Sequence, residues 1–507
     1  MKKIKLFISA LFVLGILCFL NTKVGNVPAL GKFLNPVTGI WQNEKNETIS
    51  GEVVIPGLID KVIVYYDKQM IPHVFAKNDH DLYKAQGYLT AKHRLWQLEF
   101  QTHAAAGRLS EILGDLAINY DRTQRRIGMV YGAEQGLKYM EKYDRETLGF
   151  VHDYTDGVNA YINQLDPINY PVEYKLLDYS PEKWTSKKSA LLLMYMTKML
   201  AGRDDDLEYT NVLRLIGMDN FNLLFPDFFD SVDPVIPKQT DWSFIDQPQT
   251  NLPLNYVVLD TITETIEKTN PDNGSNNWAI SGAKSITGNP ILANDPHLGL
   301  NLPSIWMMMQ LCSPTHNVMG TTIPGALSII SGFNQNIAWG ETNATRDVID
   351  WYKIEFNQDR TKYLFDDSWK DVRNRLEEIK IRGGETIIDT VLYTHHGPVV
   401  YDKNFKSNNQ RSGYAMRWIA HDGGNHQRTF IELNKAKNYD DYVNALNYWD
   451  APAQNFVFAS TEGDIALWIQ GKFANKWEGQ GKFLMDGSNP ENDWQSFIPQ
   501  KFNAHTK

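Results

Sequence analysis

A serine just past the middle of the sequence has the surroundings that self-activating catalysis needs. Ser275 follows Gly274 and a polar, turn-forming run, and residues 276–281 alternate like a β-strand. A cut between Gly274 and Ser275 would leave Ser275 with both a hydroxyl nucleophile and a free α-amino group. The unperturbed pKa of such an amine is about 7.7–8.0, so near neutral pH it can accept the hydroxyl proton. Residues 274–277 alone are also typical of an ordinary polar turn that leads into a strand.

The residues that surround this serine carry a resemblance. Residues 274–278 read Gly-Ser-Asn-Asn-Trp, and residues 288–298 read Gly-Asn-Pro-Ile-Leu-Ala-Asn-Asp-Pro-His-Leu. The chain resembles the penicillin acylase family of N-terminal-nucleophile amidohydrolases from about residue 62 to about residue 494. The resemblance implies a precursor that cleaves itself before Ser275. It also implies hydrolysis of a linear amide between an acyl group and an amine, through an acyl-enzyme on that serine.

The resemblance also implies the other catalytic residues. The oxyanion would accept hydrogen bonds from the side-chain amide of Asn455 and from the backbone N–H of Asn343. One such donor is worth roughly 2.7–4 kcal/mol in acyl transfer. His297 matches a family position that bridges to the amine of the nucleophile, where it would orient the attacking group or relay a proton. Without the resemblance, Asn455 is typical of a turn cap, and His297 is equally typical of a packing residue.

Four residues match the family's calcium site. They are Glu208 in the first part of the chain, Asp347 and Asp350 in the second, and Ile349 through its backbone carbonyl. Calcium takes about six to eight oxygen ligands, and carboxylates on a loop suit it. The alternative is that these carboxylates are solvated or ion-paired. No organic cofactor is implied. Where the family commonly has an Arg after the oxyanion Asn, residues 471–477 offer only Lys.

The substrate and three alternatives stay open. The acyl compound is a small molecule: a penicillin, a cephalosporin side chain, an acyl-homoserine lactone or an N-acyl amino acid. The chain ends at Lys507, where family members continue for a long stretch, so an inactive truncated homologue is one alternative. A non-enzymatic exported envelope or glycan-binding protein is another. The third is a penicillin-recognising serine enzyme, because Ser281 and Lys284 form an S-x-x-K pair, but no S-D-N or K-T-G element accompanies it. The absence of G-x-S-x-G argues against an α/β-hydrolase, and the absence of H-E-x-x-H argues against a zincin.

The composition and the amino-terminal residues indicate which partners and which cellular compartment to expect. The 507 residues are 42% hydrophobic and carry a formal net charge of −10, which argues against nucleic acid as a partner. Three lysines precede a fifteen-residue apolar run over residues 6–20, as in an export signal. We therefore expect export to the periplasm, with residues 1–20 either cleaved or kept as a tether to the inner membrane.

The periodicity predicts an α+β protein. Residues 21–55 are predicted as a linker, 56–240 as a helical first chain, 241–274 as a spacer and 275–507 as a second chain that pairs with the first as a heterodimer. Helical spacing of apolar residues marks residues 82–109, 148–165 and 189–196. Strands are predicted at residues 62–66, 71–76, 290–293, 306–311, 317–320, 327–331, 337–340 and 352–355. The resemblance implies the αββα sandwich of the N-terminal-nucleophile hydrolases.

Overall fold

The computed structural model describes residues 2–25, 28–44, 50–201, 205–226, 243, 273–406 and 412–507. Most of the predicted spacer at residues 241–274 lies outside the described residues. The first half is mainly helical, with helices α1 (Lys2–Leu20), α2 (Asp79–Ala106), α3 (Ser110–Leu113), α4 (Ile118–Arg126), α5 (Met129–Tyr143), α6 (Arg145–Ile162), α7 (Val172–Leu177), α8 (Ser186–Leu200) and α9 (Asp206–Leu224). Two further helices, α10 (His426–Lys435) and α11 (Tyr439–Leu446), lie in the second half.

The three predicted helices are confirmed as α2, α6 and α8. Helix α2 begins where the Asn78 side chain accepts a hydrogen bond from the Asp81 N–H, and it ends at Gly107 in the left-handed conformation, with φ 63°. Helices α2 and α6 cross closely at Gly87 and Gly157, where a Cβ on either residue would overlap a backbone carbonyl of the facing helix. Glycine is needed at both positions because only a bare backbone fits there.

The strands lie mostly in the second half. They are β1 (Ile63–Tyr66), β2 (Pro72–Phe75), β3 (Asn276–Ile280), β4 (Ile291–Asp295), β5 (Met307–Cys312), β6 (Asn317–Thr322), β7 (Ser331–Asn334), β8 (Ile337–Asn343), β9 (Ile349–Glu355), β10 (Lys362–Phe365), β11 (Ser368–Asp371), β12 (Arg373–Ile379), β13 (Ile387–Tyr393), β14 (Val399–Tyr401), β15 (Ser412–Trp418), β16 (Gln454–Ser460), β17 (Ile465–Gln470), β18 (Met485–Asp486) and β19 (His505–Thr506).

A nine-stranded sheet forms the centre of the fold. Its order is β1-β2-β5-β6-β7-β8-β16-β17-β19, and every pairing is antiparallel except that of β2 with β5. One face packs on helices α2, α8, α10 and α11 in a core that includes Leu89, Leu192, Trp339, Phe430 and Phe456. Since side chains alternate between the two faces of a strand, the residues between these core positions face the other way.

The hairpin of β3 and β4 covers that other face. Its Asn294 Nδ2 donates to Ser331 Oγ of β7 at 3.1 Å, and a Cβ on Gly340 of β8 would meet the Asn294 side chain. On the outer side of the hairpin, Trp278 and Ile291 are 51% and 46% exposed. The described residues therefore stack helices, a large sheet and a β hairpin, and the α+β class is confirmed.

One predicted strand is wrong. Residues 327–330 form a buried, irregular segment, and strand β7 begins only at Ser331. The reason is that helix side chains take the backbone hydrogen bonds of this segment: Gln86 Oε1 accepts from the Ser328 N–H at 3.0 Å, and Asn434 Oδ1 accepts from the Ile329 N–H at 2.9 Å. An apolar run can therefore be buried without pairing to a neighbouring β-strand.

The amino-terminal helix α1 is exposed along its length. Residues Lys3–Leu20 have a mean hydropathy of 2.2, so this helix is long and apolar enough to cross a membrane. A signal sequence meets the same criteria. Part of the predicted linker packs on the body of the protein, because Lys175 Nζ of α7 donates to the carbonyl of Gly39 at 3.1 Å.

Candidate active site

Ser275 lies where the hairpin meets the end of strand β8. It directly precedes β3, and its Oγ accepts a hydrogen bond from the backbone N–H of Asn343 at 3.2 Å. The register of β3 on β4 holds this position, with Asn276 opposite Asp295 and Asn277 opposite Asn294. The nucleophile and the backbone donor that the resemblance implied are thus in direct contact.

Asn455 is brought to the same place by the neighbouring strand. It lies on β16 opposite Thr342, and its Nδ2 donates to Thr342 Oγ1 at 3.1 Å and to the Asn343 carbonyl at 3.2 Å. The Asn277 side chain donates to the Asn455 carbonyl at 2.9 Å, which ties the hairpin to β16. The Asn455 side-chain amide therefore adjoins Asn343, and its Nδ2 donates to two acceptors on strand β8.

His297 packs directly on the predicted cleavage position. A Cβ on Gly274 would overlap His297 Nε2 and would lie 2.9 Å from its Cδ2. The Gly274 N–H donates to the His297 carbonyl at 3.2 Å, and His297 Nδ1 lies 3.0 Å from the Asp295 carbonyl oxygen. The imidazole of His297 is thus held against the residue that precedes Ser275.

An apolar cavity of about 100 Å³ opens beside Ser275. It lies between the nine-stranded sheet and helices α8 and α10, and its walls include Leu192, Met196, Ile330 and Phe430. The position of Ser275 in the wall would place an acyl carbonyl at the nucleophile while the acyl chain enters the apolar space. Such concave apolar sites with a few polar groups are typical of small-molecule pockets.

Two titratable side chains in the cavity wall were missed by sequence reasoning. Glu341 of β8 is 8% exposed, and burial raises its pKa to about 8. His426 of α10 is also 8% exposed, and burial, with a smaller contribution from Lys472, lowers its pKa to about 4. The signal for Glu341 was its place in the alternation Ile337, Trp339, Glu341, where a carboxylate occupies an inward position.

Two of the four expected calcium ligands lie around a lysine. Lys476 Nζ lies 2.9 Å from Asp347 Oδ2 and 2.6 Å from Asp350 Oδ1, and Asp350 is fully buried. Burial lowers the pKa of Lys476, but Asp350 and Asp347 outweigh it and leave the pKa raised. Because an ammonium already pairs with both carboxylates, this arrangement does not fit a calcium ion. Calcium binding stays a prediction, and no catalytic step uses it.

The other two expected ligands are placed differently. Ile349 begins β9 opposite Trp418, with its side chain buried. Glu208 lies in α9, two residues after Asp206, and Asp206 interacts with the Asp347–Asp350 pair. Asp206 accepts a hydrogen bond from the Trp351 N–H at 3.0 Å, and burial followed by Asp350 and Asp347 raises its pKa.

Comparison with known proteins decides the family. A family model described as penicillin amidase matches residues 61–507. The chain belongs to the penicillin amidase family. It is 28% identical over 465 residues to the acyl-homoserine lactone acylase QuiP of Pseudomonas aeruginosa, covering 88% of this chain and 54% of the relative. It is 26% identical over 464 residues to the penicillin acylase 2 proenzyme of Pseudomonas sp. strain SE83, covering 89% of this chain and 58% of that protein.

This member of the penicillin amidase family thus spans just over half the length of these two relatives. Among solved structures it is similar to the thermostable penicillin G acylase from Alcaligenes faecalis in its orthorhombic form. That similarity has a TM-score of 0.41 and 22% identity, and it covers 45% of this chain and 41% of the other. The resemblance found from the motifs around Ser275 is confirmed at the level of the family.

Proposed function

We propose that this chain is the precursor of an amidohydrolase that cleaves itself before Ser275 and then hydrolyses N-acyl compounds through an acyl-enzyme. One observation carries the proposal: Ser275 Oγ lies in the wall of an apolar cavity, 3.2 Å from the Asn343 N–H. Relatives named acyl-homoserine lactone acylase and penicillin acylase proenzyme support both the amide hydrolysis and the processing.

Processing would begin with attack of Ser275 Oγ on the carbonyl carbon of Gly274. The C–N bond to Ser275 breaks, the amine takes the proton from Oγ, and an ester joins Gly274 to Oγ. Water then hydrolyses the ester, which leaves a carboxylate on Gly274 and a free amine on Ser275. The His297 ring, packed on Gly274, is placed to orient this peptide. Only glycine leaves room for that contact.

Amide hydrolysis would use the new amine as the base. It takes the Oγ proton as Oγ attacks the acyl carbonyl, and it then delivers the proton to the leaving amine. The oxyanion would take the place that Oγ now has at the Asn343 N–H, and Asn455 would turn one N–H from Thr342 towards it. Catalytic hydrogen bonds often reach their final geometry only when substrate is bound. Water attacks the resulting ester, releases the acid and restores Ser275.

The two chains would stay together after cleavage. Helix α4 of the first chain is joined to the second chain by buried ion pairs, in which Arg126 contacts Asp389 at 2.7 Å and Asp402 at 3.2 Å. We extend the proposal to a heterodimer of the processed chains. The apolar helix α1 supports export, with the periplasm as the proposed compartment.

The deciding experiment is intact-mass measurement of the purified full chain, with amino-terminal sequencing of any fragment. We expect two chains, the second of which begins Ser-Asn-Asn-Trp, and hydrolysis of acyl anilides by the processed protein. A Ser275→Ala variant should remain one uncut, folded chain without activity. Cleavage at the same bond in Ser275→Ala would refute the assignment of the nucleophile. An uncut wild-type chain would favour an inactive homologue.

A further inference from the structure

Glu341 stands on the strand that leads from the nucleophile into the apolar cavity. It lies two residues before Asn343 in β8, so both side chains project from the same face of the strand, about 7 Å apart along it. Trp339 is the next residue on this face, and Phe456 lies opposite Glu341 on β16; both aromatic side chains are buried. An acyl chain with its carbonyl at Asn343 would therefore run towards the carboxyl group of Glu341.

This carboxyl group has no partner among the described residues. Both of its oxygens are buried without a hydrogen bond, although buried polar groups in folded proteins are nearly always paired. Burial raises its pKa, and no charged side chain among the described residues contributes to the shift. A fold that keeps such a group unpaired beside its nucleophile reserves its hydrogen-bonding capacity for something that enters the cavity.

The protonation state of Glu341 restricts which chemical groups of a bound ligand can pair with it. With a pKa of about 8, the carboxyl group is mostly neutral at pH 7, so it offers one O–H donor and one carbonyl acceptor. A ligand hydroxyl or oxo group would pair with it without burying a charge. An ammonium group would have to shed its own water, and that cost often exceeds the attraction of a buried ion pair.

We propose that Glu341 is a specificity-determining residue that selects acyl chains which are apolar except for one uncharged oxygen substituent, hydroxyl or oxo, several bonds from the amide carbonyl. This assignment of the acyl group rests on the proposed amidohydrolase function. It requires no new chemical step, because Glu341 binds the acyl chain and takes no part in bond cleavage.

Two kinds of probe keep this inference separate from the proposed function. Acyl p-nitroanilides report hydrolysis, whereas methyl ketones of the same acyl chains have no amide to cleave and report binding by calorimetry. Each series contains an alkyl parent and its hydroxyl, oxo and ammonium derivatives at successive carbons. If no anilide is hydrolysed but the methyl ketones bind with the expected pattern, the amidohydrolase proposal fails and the role of Glu341 stands.

The matched variants are Glu341→Leu and Glu341→Gln. Wild-type protein should bind the best oxo compound about tenfold more tightly than its alkyl parent, since one hydrogen bond to a buried group is at stake. Glu341→Leu should lose this preference and bind the alkyl parent at least as well as wild type. Glu341→Gln keeps a donor and should keep most of the preference. An equal preference in wild type and Glu341→Leu, or a preference for the ammonium compounds, would overturn the proposal.

A pH series gives a second test that needs only the conservative variant. The oxo group can only accept a hydrogen bond, so its advantage should disappear as the pH rises above about 8 and Glu341 loses its proton. His426 is the only other acidic or basic side chain in the described cavity wall, and its pKa of about 4 keeps it neutral in this range. An α-amino group freed on Ser275 has an unperturbed pKa of about 7.7–8.0, but Glu341→Gln retains that amine. If the oxo preference of Glu341→Gln falls with pH as in wild type, Glu341 is not the donor.

Discussion

Replacing Arg126 by methionine should strongly destabilise the contact between the two halves of the chain. The guanidinium is fully buried, and it donates to both oxygens of Asp389 at 2.7 Å, to Asp402 at 3.2 Å and to the Val400 carbonyl at 3.1 Å. Methionine keeps much of the aliphatic volume but leaves two buried carboxylates with one cation fewer. Breaking a buried ion pair in this way costs about 3–5 kcal/mol.

The lower end of that range is expected here. Asp389 still has Arg122 at 2.8 Å, and Asp402 still has Arg360 at 3.1 Å, so neither carboxylate loses every cation. We expect the free energy of unfolding to fall by about 3 kcal/mol, a factor of about 100 or more in the unfolding equilibrium. The assay is urea unfolding of the uncut chain in a Ser275→Ala background, with hydrogen exchange in α4 and β13 as a local readout.

A double variant and the pH dependence of unfolding distinguish the loss of the ion pair from the loss of packing as the cause of the destabilisation. The double variant Arg126→Met with Asp389→Asn should recover part of the stability, because the second change removes the unpaired charge. Burial raises the pKa of Asp389, but hydrogen bonds from Arg126 and Arg122 outweigh it and hold the pKa below its usual value. Its contribution is therefore present above the unfolded pKa of about 3.9 and is lost as the pH falls through the folded value. A loss below about 1 kcal/mol at pH 7 would refute this reasoning.

Three further predictions concern the site and its surroundings. Gly274→Ala should slow processing in a mass-spectrometric time course, because the added methyl group would overlap the His297 ring and overpacking costs about 1–3 kcal/mol. Adding His297→Ala should relieve the crowding. Equal processing rates for Gly274→Ala and wild type would contradict the observed contact. Asn455→Ala should lower kcat about 100- to 1,000-fold with little change in KM, and an unchanged kcat would remove Asn455 from the oxyanion site. Lys476→Met should lower Tm in calcium-free buffer because it removes the ammonium that pairs with Asp347 and Asp350, and added calcium should restore Tm. A chelator should leave the wild-type Tm unchanged, and a chelator-sensitive wild type would show that the lysine does not take the place of the ion.

Much of the helical half was predictable because its signals are local. The apolar spacing that marked α2, α6 and α8 reflects helices that bury one face against neighbours. In the second half, short apolar runs between turn residues likewise marked strands β4, β5, β6, β8 and β9, whereas the strands after β9 carried no such prediction. The irregular segment at residues 327–330 was not predictable, because side chains of α2 and α10 take its backbone hydrogen bonds, and no local pattern records such distant partners.

The sequence by itself determined the family and predicted the nucleophile and the bond to be cut, because these depend on residue types at short, unbroken spacing around Ser275. The tertiary structure alone decided which groups meet. It placed Lys476 between carboxylates more than a hundred positions away, brought Asp206 close to them, and left Glu341 in the cavity wall without a hydrogen-bond partner among the described residues. Ion pairing and burial depend on distances through space, and residues far apart along the chain acquire those distances only when the strands and helices pack.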